Sequence, residues 1–190
     1  MTLRSNGVGS RAVVHDVILI NGPPGVGKTT VSKLIADAVP GTVCIHGDGL
    51  RAFAPEDARK VLGGGSTYRA AASLTLEYFA MGARLVVFDY CFLAPRHVGY
   101  FVDRLGTKIE NVSLFTLWAP LGVIQQRERG RVFREALGAK VEECWSEIAA
   151  NRAGLGEFVD NADLAPQETA RRILNLVNER ARQLATTRAS

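Results

Sequence analysis

The chain is expected to fold as one α/β domain, a parallel β-sheet covered by helices on both faces. Three observations predict it. Short apolar runs alternate with longer helix-compatible runs from Val17 onward. The run LVVFD at 85–89 is apolar up to its last residue, as a strand buried on both faces must be. Residues 22–29 read GPPGVGKT between an apolar run and a helical one, the setting in which that string becomes a phosphate-binding loop.

Each element has its own signal. Met1 to Ser10 is polar and glycine-containing, so residues 1–14 are expected to form a flexible tail. Val17 to Ile20 is the first strand, and Thr30 to Val39 is the helix after the loop. Pro40-Gly41 marks a turn, and Thr42 to His46 is a short second strand. Leu50 to Leu62 is helical but interrupted by Pro55, and Gly63-Gly64-Gly65 ends it. Ser66 is expected to cap a helix that runs to about Met81. Arg84 to Asp89 is the third strand, followed by a helix that Pro95 opens and that ends near Leu105. Val112 to Trp118 is the fourth strand, and Pro120 starts the next helix, which leads into the arginine-dense RERGRVFR. Ala139 to Arg152 resumes helical periodicity, and Glu157 to Val159 is a weak fifth strand. The last helix runs from Pro166, at the first helical position, to about Leu184, leaving 186–190 as a short tail. Residues 15–185 are thus read as a single domain with small excursions after strands two and four.

Composition narrows the class. With 190 residues, 47% hydrophobic and 22% charged, the chain suffices for one well-buried domain. Eighteen of the 23 cations are arginine, which suits bidentate contacts to phosphate. No block of five or more Lys/Arg occurs, so no nucleic-acid partner is expected. No apolar run is long enough to span a membrane, and the first sixteen residues do not resemble a secretory signal. Cys44, Cys91 and Cys144 are widely spaced with no C-x-x-C, and a cytoplasmic, reduced protein is expected.

The chemistry is concentrated at the expected carboxyl ends of the strands, where open α/β sheets bind ligands. In Gly22, Pro23, Pro24, Gly25, Val26 and Gly27, the glycines let backbone N–H groups turn inward around a phosphate, and the following helix adds the positive end of its dipole. Lys28 is expected to bridge the β- and γ-phosphates of ATP, the Thr29 hydroxyl to hold Mg²⁺, and Thr30 to complete the binding loop. Asp89, closing LVVFD, has the form of an acid aimed at the metal or its water, with the alternative that it contacts substrate or fixes the loop carrying Arg96. Asp48, between Gly47 and Gly49, is a candidate base for an acceptor hydroxyl, or else a cap for the helix beginning near Leu50. Arg51 lies one helical turn on and is a candidate for a substrate group, as is Arg96.

Arg127, Arg129, Arg131 and Arg134 fall within eight residues, a density that repels itself on a solvated helix. A lid over about 127–138 that closes on triphosphate and neutralises the transferring phosphoryl gives those charges a purpose, the alternative being a merely solvated basic face. His46 is expected to face away from Asp48 and pack, and His97 has no partners at metal-ligand spacing. Phe53, Tyr68 and Phe92 are either pocket aromatics or core.

Taken together, NGPPGVGKTT, HGDGLR, LVVFD, RERGR and DNADLAPQETARRIL resemble the small-molecule kinase branch of P-loop proteins over about Val17 to Val177. That branch includes shikimate, gluconate and adenylylsulfate kinases, and the chloramphenicol phosphotransferase group is nearest. The resemblance implies the P-loop NTPase kinase fold, a five-stranded parallel sheet in the order 2-3-1-4-5 with an arginine-rich lid. It implies ATP and Mg²⁺ as cofactors, Asp48 as base, Arg127 or Arg131 as lid arginines, and an adenine-side loop at Asp160 to Pro166. The acceptor would be a hydroxyl of a small molecule, with antibiotics, and so antibiotic resistance, among the cases the nearest group suggests. The chain departs from shikimate kinase in lacking D-x-D at strand two and a triple-glycine turn after strand three. Two other readings stay open: a nucleoside or nucleoside monophosphate kinase, and a non-catalytic nucleotide-binding protein.

Overall fold

In the segment DVILIN every residue after Asp16 is buried, so this strand needs neighbours on both edges and cover on both faces. The computed structural model, which describes residues 16–109, 111–130 and 137–188, gives it both. The strands are β1 (Asp16–Asn21), β2 (Thr42–His46), β3 (Leu85–Asp89), β4 (Asn111–Trp118) and β5 (Glu157–Asp160). They form one parallel sheet in the order β2-β3-β1-β4-β5, with β1 central. The helices are α1 (Lys28–Ala38), α2 (Gly47–Ala52), α3 (Glu56–Leu62), α4 (Ser66–Ala80), α5 (Pro95–Leu105), α6 (Leu121–Arg129), α7 (Ala139–Ala150) and α8 (Pro166–Arg188). The expected tail at 1–14 lies outside the described residues.

Alternation along β1 divides the core in two. Val17 and Leu19 enter one apolar cluster with Ala72 and Phe79 of α4 and Phe101 and Leu105 of α5. Ile18 and Ile20 enter the other with Val31 and Ile35 of α1 and Ala170 and Ile173 of α8. Among the described residues no helix is long and apolar enough to cross a membrane.

Several boundaries differ from the sequence expectation by a residue or more, and four of them bear on the account. The helix after the glycine loop begins at Lys28, so Lys28 and Thr29 stand in its first turn. Helix α2 begins at Gly47, directly at the end of β2, rather than near Leu50. There the Tyr90 ring covers the backbone so closely that a Cβ on Gly47 would lie 2.3 Å from it. Gly65, not Ser66, takes the N-cap position of α4, at φ 87° and pressed on the Tyr100 ring, 2.4 Å from where a Cβ would stand. Helix α8 continues past Leu184 to Arg188.

A buried polar cluster ties together the carboxyl ends of the central strands. The Asn21 side-chain amide donates to Phe92 O at 3.1 Å and to Thr116 Oγ1 at 3.0 Å, and its carbonyl accepts from Phe92 N at 2.7 Å. Thr116 in turn donates to Leu155 O at 2.6 Å. One side chain at the end of β1 therefore fixes the loop after β3, strand β4 and the approach to β5.

Helix α5 starts with a comparable device. His97 Nδ1 accepts from the backbone N–H groups of Leu93 and Ala94, at 3.0 and 3.3 Å, satisfying donors at the helix start as a capping-box residue does. The ring stacks on Tyr68 at 5.1 Å. Burial lowers the pKa of His97 below its usual value, and the neighbouring Arg96 adds to this. Because the folded pKa lies below the unfolded one, this group's contribution is present above the unfolded value of about 6.5 and is lost as pH falls toward the folded pKa. Urea denaturation between pH 7.5 and 5 is expected to show stability falling more steeply in the wild type than in His97→Gln, which has no ring proton to gain. Parallel profiles would contradict the acceptor role of Nδ1.

Candidate active site

The turn from β1 to α1 is built on glycine. Gly22, Gly25 and Gly27 have φ of 140°, 90° and 103°. Gly22 packs on β4, so that a Cβ would meet Leu117 O at 2.6 Å, and Gly25 packs on α6, where a Cβ would meet Ile124 O at 2.8 Å. From the far side, buried Asn161 donates through Nδ2 to Val26 O at 2.9 Å. Helix α1 has no side-chain N-cap, so its first N–H groups face the loop it follows. Lys28 Nζ folds back over the loop and donates to Gly22 O at 2.8 Å and Pro23 O at 3.1 Å. The result is a cradle of N–H groups with one ammonium across its mouth, an arrangement suited to an oligophosphate anion.

Asp89 stands beside this cradle because β3 is paired with β1 in the register Ile20↔Asp89. It is buried, and its two oxygens face different partners. Thr29 Oγ1 donates to Oδ1 at 3.1 Å, and His46 Nδ1 contacts Oδ2 in a short hydrogen bond. Strand pairing explains the second contact, since His46↔Asp89 is a register pair of β2 and β3. Cys44, two residues earlier on the same face of β2, has its Sγ 3.9 Å from His46 Nδ1. Burial pushes the Cys44 thiol up to about 12, with the Asp89 charge adding to the effect.

Lys28, Thr29, Asp48, Asp89, Tyr90 and Cys91 line one pocket. Asp48 is exposed and projects there from the first turn of α2. Beyond the pocket the Cys91 and Cys144 thiols hydrogen-bond, which raises the pKa of Cys91 and lowers that of Cys144 to about 7. The contact joins the loop after β3 to α7.

The remaining expected residues go elsewhere. Arg51 and Arg96 are exposed and do not line this pocket. They flank Tyr68, whose buried hydroxyl donates to Cys91 O at 2.7 Å. Burial holds that phenol far above its ordinary pKa, the neighbouring Tyr90 and Cys91 add to this, and the two arginines partly offset it. Phe92 is in the core, Tyr68 is nearly so, and Phe53 is 86% exposed. Arg127 ends α6 on the opposite side of the glycine loop from Asp89. Its guanidinium donates to Asn161 O at 3.0 Å and Ala162 O at 2.7 Å. There it lines a second pocket with Gly27, Thr30, Val31, Asn161 and Leu164. Arg131, and half of the expected lid with it (131–136), lies outside the described residues.

His46 is the site residue that sequence reasoning missed. Strand alternation sets residues two apart on one face, so a continuing β2 would bring His46 and Asp48 to the same side rather than opposite sides. The strand instead stops at His46, α2 begins one residue later, and His46 meets Asp89.

Comparisons with known proteins bear on the fold that carries these residues. The family model described as AAA domain matches residues 17–155. A tunicamycin resistance protein from Deinococcus radiodurans is similar in structure, with 24% identity, TM-score 0.61, and 86% of this chain and 95% of that one covered. A gluconokinase from Sinorhizobium meliloti is similar at 19% identity and TM-score 0.62, over 90% and 97% of the two chains. Shikimate kinase from Bacteroides thetaiotaomicron is similar at 17% identity and TM-score 0.58, over 86% and 98%. These likenesses are of fold, and the fold is that of P-loop kinases. No curated protein matches the chain.

The loop geometry is testable by itself. Gly25→Ala must adopt φ 90° and displace Ile124 O, so it is expected to cost about 1–3 kcal/mol in urea denaturation. An unchanged midpoint would contradict the close approach to α6.

Proposed function

The chain belongs to the AAA domain family, and on that premise we propose that it is a kinase that moves the γ-phosphoryl of ATP to a hydroxyl of a small molecule. The observation that carries this reading is the shared pocket of Lys28, Thr29, Asp48 and Asp89. It sets a cation and a metal-type oxygen pair against a separate carboxylate. The separate carboxylate is what transfer to a hydroxyl requires and nucleotide binding alone does not.

The roles follow from chemistry. Lys28 binds the β- and γ-phosphates, while the N–H groups from Gly25 to Thr30 carry the rest of the anion. The Thr29 hydroxyl and Asp89 Oδ1 are hard oxygen donors 3.1 Å apart, a donor pair that fits Mg²⁺. When bound, Mg²⁺ supplies neutralisation of the charge that shifts onto the leaving phosphate. Asp48 orients the acceptor hydroxyl and takes its proton as the new O–P bond forms and the bond from the γ-phosphorus to ADP breaks. We assign Arg127 to the nucleobase side, since its partners Asn161 and Ala162 lie in the 160–166 loop. Arg131 remains the lid arginine of this reading.

Arg51 and Arg96, away from the phosphate pocket, are assigned to the acceptor's outer end, and antibiotics belong in any acceptor screen. Three free cysteines support a cytoplasmic setting.

Two variants separate the roles. Lys28→Ala is expected to lose ATP binding and to transfer phosphoryl at less than about a hundredth of the wild-type rate. Its circular dichroism should stay native. Asp48→Asn is expected to keep ATP affinity and lose on the order of 10² in kcat for the acceptor. A loose transition state would make the second loss smaller, because little proton transfer then precedes bond formation. Wild-type turnover in Lys28→Ala would overturn the reading, and wild-type turnover in Asp48→Asn would remove Asp48 from it.

A further inference from the structure

We propose that Cys44, His46 and Asp89 form a binding site for a thiophilic divalent cation, best fitted by Zn²⁺, that draws Asp89 away from its Mg²⁺ role and slows phosphoryl transfer. The slowing rests on the function proposed above; the binding does not.

The case begins with the donor set. A thiol, an imidazole and a carboxylate are the three side-chain types that zinc sites use. One ligand atom from each lies within 4.8 Å of the other two. The fold brings them together by two rules. Cys44 and His46 are i and i+2 on β2 and share a face, and His46 is the register partner of Asp89 on β3. A tetrahedral ion with ordinary Zn–S and Zn–N bonds sets its sulfur and nitrogen about 3.6 Å apart. The separation of Cys44 Sγ and His46 Nδ1 is 3.9 Å, so a small rotation about either side chain closes that edge.

The electrostatics favour a cation here. A dication held between these groups neutralises the buried Asp89 carboxylate, and it replaces the Cys44 thiol proton, which leaves to solvent. Access is available. β2 is the edge strand of the sheet, Cys44 is half-buried, and the His46 side chain is 32% exposed. Three protein ligands leave a fourth position for water, the donor count of an exchangeable ion rather than a sealed structural one.

The consequence follows from Asp89 itself. Its Oδ1 faces Thr29 and its Oδ2 faces His46, so one carboxylate serves both positions. Charge drawn toward a thiolate-bound Zn²⁺ on Oδ2 is lost to Mg²⁺ on Oδ1, and the two dications repel across the same group.

The test uses the full chain stripped of metal by chelation. Co²⁺, a spectroscopic stand-in for Zn²⁺, is titrated into wild type and Cys44→Ser with no ATP present. The wild type is expected to develop thiolate-to-cobalt absorption that an equivalent of Zn²⁺ bleaches, and Cys44→Ser is expected to show none. In ADP-release assays, Cys44→Ser should keep wild-type activity without zinc, and should need at least about tenfold more Zn²⁺ for half-inhibition. Absence of thiolate absorption in the wild type, or its persistence in Cys44→Ser from the Cys91–Cys144 pair, would overturn the site. Binding without inhibition would overturn the regulatory half. Because the cobalt spectrum is read without substrate, a chain that proved not to be a kinase would leave that result standing.

Discussion

The site depends on the buried side chain of Asn21. It is the last residue of β1 and the one before Gly22, so whatever holds it also holds the start of the phosphate loop. Its amide makes three hydrogen bonds, two to the Phe92 backbone and one to Thr116, all inside the protein. A buried amide of this kind contributes about 1 kcal/mol net per bond, but leaving its partners unsatisfied costs more than that. The specificity matters more than the sum. An apolar residue of the same size would fill the space and fix neither the loop after β3 nor the turn before β5. Asn21 makes the ends of three strands one rigid unit, and Lys28, Asp89 and Asp48 are positioned against it.

Within that frame Asp89 carries opposed demands. A buried carboxylate needs partners, and Thr29 and His46 provide them on separate oxygens. The same two contacts aim one oxygen toward the phosphate loop and the other toward the sheet edge. Lys28 is held in a comparable way, by the two loop carbonyls of Gly22 and Pro23. The glycine loop cannot relax, because β4 and α6 press on Gly22 and Gly25.

Much of this was legible in the sequence, for physical reasons. The phosphate loop is local: its glycines, its lysine and the start of the helix after it lie within residues 22–30, so spacing alone carries the geometry. Parallel strands buried on both faces announce themselves as unbroken apolar runs, as LVVFD does. What was not legible is what depends on register and on close approach. His46 meets Asp89 only because two strands pair in one alignment. Gly47 stands beside Asp48 in the sequence, yet what presses on it is Tyr90, more than forty residues on in the chain. Ser66 has the chemistry of a cap but lost the position to Gly65, which the Tyr100 ring requires there. Arg127 was grouped with its neighbours by charge density, whereas its hydrogen bonds tie it to the loop after β5, thirty-four residues away.

The claim at the centre of this account is that the pocket transfers a phosphoryl group and does not merely bind nucleotide. Its most direct test is mass spectrometry of a panel of small hydroxyl compounds, covering sugars, hydroxy acids, nucleosides and antibiotics, incubated with the protein and ATP·Mg²⁺. The account predicts that one class gains a single phosphoryl group on a hydroxyl, with one ADP formed per product. Tight ATP binding with no phosphorylated product across the panel, or ADP formed with the phosphate going only to water, would contradict it.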